Sequence, residues 1–119
     1  MVPSKASERN RHKGGKVEGM VEATRENFRS LVAEGQVLVD VWGPDCKPCL
    51  ALLPHVARMV EERPSLSCVK LEAPKARRLC IEMQVHGLPT FLLFQDGTEV
   101  SRLSKSTLSP GELESWLDG

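Results

Sequence analysis

The sequence has little that would carry it into a membrane or out of a cell. No apolar run approaches the roughly 20 residues that span a bilayer. The opening stretch, MVPSKASERNRHKGGK, lacks the apolar core of a secretory signal. Aromatic residues make up only 4% of the chain and are not interleaved with its basic residues, so nothing offers bases a stacking platform, and no nucleic-acid recognition motif occurs. Four cysteines are too few, and too unevenly spread, for a disulfide-stapled secreted scaffold. Repeats and internal linkers are absent. The expected compartment is therefore the cytoplasm, and neither nucleic acid nor a membrane is an expected partner.

What is present fits one ordinary domain. The 119 residues are 40% hydrophobic and 27% charged, enough for a single core. The zero net charge hides an asymmetry: residues 1–19 carry net +3 and the remainder net −3. Residues 1–16 read as a disordered basic leader and 17–119 as the folded domain.

Past the leader the pattern is regular. KVEGMVEAT reads as a short strand. Thr24 can cap a helix over RENFRSLVAEG, with Phe28, Leu31 and Val32 on one face and Gly35 at its end. QVLVDVW is nearly continuous in apolar residues, as in a strand covered on both faces. CLALLPHVARMVEERP is an amphipathic helix that Pro54 should kink. SLSCVKLEA is a strand and PKARRLCIEMQ a helix with Pro74 near its start. TFLLFQDGTEVSRLS is a hairpin around Asp96-Gly97, and Ser109-Pro110 open the last helix. The order β-α-β-α-β-α-β-β-α predicts an α/β fold: a mixed central sheet of about five strands flanked by about four helices.

One motif carries chemistry. In DVWGPDCKPC, Cys46 and Cys49 stand three apart, between the end of a central strand and the first turn of a helix. The pair could be a redox catalyst, two metal ligands or two buried thiols. Free backbone N–H groups and the helix dipole at that place favour a thiolate. A CxxC there is a much stronger redox signal than a lone CxxC. Two ligands are too few for a metal centre, and no second CxxC or His–Cys cluster is visible.

Taken together, these landmarks resemble the thioredoxin family over about 100 of the 119 positions. VLVDVW resembles the strand leading into the family's active site, and Cys46-Lys47-Pro48-Cys49 stands where the family has CGPC. Pro54 matches its helix proline, and Lys70 in CVKLE the lysine near a buried aspartate. HGLPTFLLFQDG resembles the segment with the family's cis-proline, here Pro89. The resemblance implies a thioredoxin fold and a thiol–disulfide oxidoreductase that reduces protein disulfides. A thioredoxin-reductase-like protein would be its electron donor. No prosthetic group is implied, because the cysteine pair is itself the redox element. The chain is expected to act as a monomer.

The resemblance also assigns roles. Cys46 is the nucleophile, and Cys49, one turn further in, resolves the mixed disulfide. Asp40, an acid in an apolar strand, should have a raised pKa and is a candidate proton acceptor for Cys49. The alternative is a satisfied core carboxylate. Lys70 either moderates that shift or snorkels to solvent. A cis bond before Pro89 would leave Leu88 free to pair with an extended substrate, whereas the residues alone favour a turn proline. Trp42, Lys47, Pro48, His86 and Gly87 complete the expected substrate surface, with His86 a rim side chain. Cys68 and Cys80 read as buried small hydrophobes, with regulatory oxidation the sharper alternative.

Three positions depart from the family pattern. Asp45 replaces the usual tryptophan, Lys47 the usual glycine of the motif, and Ser106 a glycine near the C-terminus. A carboxylate beside Cys46 opposes ionisation of its thiol, and the lysine opposes the carboxylate. These departures keep two other readings open. One is a protein that works in the oxidising direction or serves a dedicated client; the other is a non-catalytic interaction module.

Overall fold

The computed structural model describes residues 20–119, so the basic leader and the first residues of the first predicted strand lie outside the described residues. The elements in chain order are β1 (Met20–Ala23), α1 (Phe28–Leu31), β2 (Gln36–Trp42), α2 (Lys47–Glu61), β3 (Leu66–Glu72), α3 (Arg77–Glu82), β4 (Thr90–Gln95), β5 (Thr98–Ser104) and α4 (Pro110–Asp118). The sheet order is β1-β3-β2-β4-β5. β1, β3 and β2 run parallel, while β4 and β5 are antiparallel to their neighbours. Among the described residues this is the predicted mixed sheet of five strands with four helices.

β2 is central, and its two faces serve two cores. Val37, Val39 and Val41 pack with Phe28 and Val32 on one side, together with Leu79, Cys80 and Met83 of α3 and the residue after it. Leu38 points the other way, against Leu52, Val56, Met59 and Val60 of α2 and Leu113 of α4. This alternation is the period-2 consequence of a pleated strand, and apolar residues on both faces explain the continuous apolar run. Phe28 is fully buried and meets Phe94 edge to face, with centroids 5.7 Å apart.

Three helices differ in extent from expectation. The region after β1 forms a helix of only four residues, Phe28–Leu31. Thr24 does cap the turn before it: Thr24 Oγ1 accepts the Asn27 N–H at 3.2 Å and the Thr24 N–H donates to Asn27 Oδ1 at 2.7 Å. The segment after β3 is not one helix. A 3-10 turn (Ala73–Lys75) is separated from α3 by Ala76, whose φ of −136° and ψ of 44° break the helical path. Burial of Ala76 among Leu79 and Met83 compensates for the break. α2, in contrast, runs unbroken through Pro54 and starts two residues earlier than predicted.

The hairpin is as predicted. Asp96 and Gly97 both have positive φ, which suits the tight two-residue turn joining β4 to β5. Asp96 also binds the β2 entry: its Oδ1 accepts the Gly35 N–H at 2.8 Å, and its own N–H donates to the Gly35 carbonyl at 2.9 Å. The register sets Val41 beside Thr90 and Thr90 beside Ser104. Consequently the loops after β2 and β5 and the loop before β4 leave the sheet at one end.

Candidate active site

Cys46 caps α2. It is the N-cap residue, with extended backbone angles, and its Sγ accepts the Cys49 N–H at 3.2 Å. A sulfur held there faces donors that the helix leaves unpaired, which stabilises a thiolate whenever the pair is reduced. Lys47 and Pro48 fill the first two helical positions, and Pro48 costs no hydrogen bond there. Cys46 and Cys49 are joined by a disulfide, with Cα atoms 5.3 Å apart. Cys46 is half-buried and Cys49 buried, so the outer sulfur is the one a partner can reach.

The second loop at this end carries Pro89. The Leu88–Pro89 bond is cis, as the family resemblance implied and the residues alone did not. Buried Thr90 holds that loop, its hydroxyl donating to the Gly87 carbonyl and meeting Ser104 Oγ. The two loops touch at Gly43, where a Cβ would come within 3.2 Å of Leu88 Cδ1. Pro89 is buried and Leu88 partly so, while His86 and Gly87 are exposed. Leu88 also borders an open apolar depression whose other walls are Ala73, Pro74, Arg77, Cys80 and Ile81. Cys68 and Cys80 are free and buried, Cys68 with its thiol pKa pushed well up by burial. Asp45, Lys47, Pro48 and Ser106 are exposed.

Asp40 lies two residues before the end of β2, the strand that leads into the site. It is 2% exposed and its Oδ1 has no hydrogen-bond partner among the described residues. Loss of hydration pushes its pKa up to about 7, with Lys70 pulling it down and Glu22 pushing it up. Lys70 is its register partner on β3. The Lys70 ammonium, however, pairs with Glu22 Oε1 at 3.8 Å and sits 4.6 Å from the Trp42 ring centre. The Trp42 indole N–H donates to Glu22 Oε2 at 3.3 Å. Trp42, read from the sequence as a substrate contact, is thus bound into this charged cluster. Glu22 was missed: only the β1–β3 register, which sets it beside Lys70, exposes its place. Its own pKa is raised by burial, against the Trp42 hydrogen bond and Lys70.

A half-buried sulfur on a helix N-terminus, a buried partner one turn on and a cis-proline loop alongside define a dithiol–disulfide exchange site on a thioredoxin fold. The comparisons agree. The family profile described as thioredoxin matches residues 19–118. Thioredoxin of Acetoanaerobium sticklandii is 35% identical over 101 residues, covering 82% of this chain and 96% of that protein. Thioredoxin C-3 of Corynebacterium nephridii is 32% identical, covering 82% of this chain and 68% of that one. Among solved structures, oxidised mitochondrial thioredoxin 3 of Saccharomyces cerevisiae has the same fold, with a TM-score of 0.75 at 24% identity over 83% of this chain and 93% of that one. The chain belongs to the thioredoxin family. It is a thiol–disulfide oxidoreductase, and Cys46 and Cys49 form its CxxC pair.

Proposed function

We propose that Cys46 is the attacking thiolate, Cys49 the resolving thiol and Asp40 the proton acceptor for Cys49. In the reducing direction, Cys46 Sγ attacks one sulfur of a client disulfide. A mixed disulfide forms and the other client sulfur leaves as a thiolate. Asp40 takes the Cys49 proton, directly or through water, and Cys49 Sγ attacks Cys46 Sγ. The Cys46–Cys49 disulfide forms and the second client sulfur leaves, so the client gains two electrons and the protein pair loses them. The observation that carries this reading is the buried, under-bonded carboxyl of Asp40 with a pKa near neutrality, where it can take and return a proton. Cis-Pro89 and Leu88 would present backbone to an extended client strand. Gly87, His86, Lys47 and Pro48 would form the exposed rim, with Trp42 holding Lys70 in place below.

The protein would act as a monomer in the cytoplasm, where thiols are kept reduced, and be recharged by a thioredoxin-reductase-like donor. No metal or prosthetic group enters the cycle. Exposed Asp45, in place of an aromatic contact, favours a second reading, in which the clients are few or the direction is oxidising. The reduction potential of the Cys46–Cys49 pair decides between them. Thioredoxin itself, the reference case, lies at about −270 mV, so a value below about −250 mV supports the reductase. A value above about −200 mV supports the oxidising alternative.

A further inference from the structure

Three adjacent strands present one charged row across a single face of the sheet. Register places Glu22 of β1 beside Lys70 of β3, and Lys70 beside Asp40 of β2. Side chains at such positions on neighbouring strands are in reach of one another. Lys70 thus stands between two carboxylates, and the structure shows which one it takes: its ammonium is paired with Glu22, on the open side of the row, and rests on the Trp42 ring. Glu22 is itself oriented by the Trp42 indole N–H. Asp40 keeps an oxygen with no hydrogen-bond partner.

We infer that Glu22 is a positioning residue for thiol exchange, which draws Lys70 away from Asp40 and so keeps Asp40 a stronger base for Cys49. The inference rests on the proton-acceptor role of Asp40 proposed above. A lysine free to pair with Asp40 would hold it as a carboxylate with little affinity for the thiol proton. Committed to Glu22, the same lysine offers Asp40 only partial compensation. The raised pKa of Asp40 accords with this arrangement, as do the opposed influences of Lys70 and Glu22 upon it.

Other groups around Asp40 leave Glu22 and Lys70 as the charges that matter. β3 adds the buried Cys68 thiol, whose ionisation burial opposes. β4 places Phe91 beside Asp40 in register. α2 and α4 bury one titratable residue between them, Cys49.

The test is a titration of the Asp40 carboxyl by carbon-13 NMR in the oxidised protein, where the joined cysteines do not titrate and cannot be coupled to it. The proteins are wild type, Glu22→Gln, Lys70→Met and the double variant. Glutamine keeps an oxygen for the Trp42 N–H but loses the charge. Glu22→Gln is expected to lower the Asp40 midpoint by on the order of half a pH unit, and Lys70→Met to raise it. In the Lys70→Met background the effect of Glu22→Gln should fall below about half its value, because the intermediary is gone. An unmoved or raised midpoint in Glu22→Gln overturns the inference, as does an equal effect with and without Lys70. The pH profile of insulin disulfide reduction separates the two layers. If its acidic limb moves with the Asp40 midpoint, both stand. If the midpoint moves and the limb does not, the proton-acceptor role of Asp40 fails, and the catalytic role inferred for Glu22 fails with it.

Discussion

Lys70 and Asp40 are register partners on adjacent parallel strands, yet the ion pair that Lys70 makes among the described residues is with Glu22. A buried carboxyl is thereby left with a neighbouring cation that is already engaged. Burial, opposed by Lys70 and reinforced by Glu22, makes it an acid that changes protonation near pH 7 on the strand leading into the cysteine pair, where most aspartates would be fully ionised.

That acid should cost stability in a pH-dependent way. Between its ordinary pKa near 3.8 and about 7, native Asp40 holds a proton that the unfolded chain has released. Stability therefore falls as pH rises through this window and levels off above it. Asp40→Asn removes the effect. Urea unfolding of the oxidised proteins should show the variant more stable than wild type at pH 8, by up to about 4 kcal/mol, with the gap closing towards pH 4. Equal stability of the two proteins at pH 8 would mean that Asp40 is compensated in the native state.

The difference in burial between the two cysteines predicts opposite outcomes for two serine variants. Cys49→Ser should accumulate mixed disulfides between Cys46 and client proteins, visible on non-reducing gels and dispersed by dithiothreitol. Cys46→Ser should accumulate none, because the remaining thiol is 3% exposed. Trapping at Cys49 instead would reverse the assigned roles.

Asp45 and Lys47 flank the attacking sulfur with opposite charges and are both exposed. At low ionic strength Asp45→Asn should speed alkylation of Cys46 by iodoacetamide at pH 7, and Lys47→Gly should slow it, each by about twofold. Salt near 1 M, where the screening length is about 3 Å, should shrink both effects. Effects that persist in high salt would point to altered loop geometry in place of charge.

α4 is fixed at its start by a reciprocal cap, in which Ser109 Oγ accepts the Glu112 N–H at 3.1 Å and the Ser109 N–H donates to Glu112 Oε1 at 2.9 Å. Ser109→Ala should cost about 1 kcal/mol and lower the melting temperature by several degrees, without altering the pH profile of disulfide reduction. A change in that profile would tie α4 to the chemistry.

Much of this was legible in the sequence, because each feature there is a local signal. Continuous apolar residues mark β2, Asp96-Gly97 marks the hairpin turn, and the CxxC lies at a strand-to-helix junction. The cis bond before Pro89 came only with the family resemblance, since residue type alone favours trans. The break at Ala76 was hidden because alanine favours helix, and core packing overrode that preference. Glu22 escaped notice for a different reason. A glutamate in a short strand reads as a solvent-facing residue until strand order sets it beside Lys70, and strand order is not a local property.

Strand order also makes the charged row unequal at its two ends. Asp40 belongs to β2, hydrogen-bonded on both sides, whereas Glu22 belongs to β1, which among the described residues is an edge strand paired with β3 alone. Edge strands open to hydrogen exchange long before the centre of a sheet does. An excursion of β1 would withdraw Glu22 from Lys70 while leaving β2, which carries Asp40, paired on both sides. If Glu22 positions Lys70 as inferred, the basicity of Asp40 is tuned from the periphery of the sheet, by a strand freer to open than the one that carries the acid.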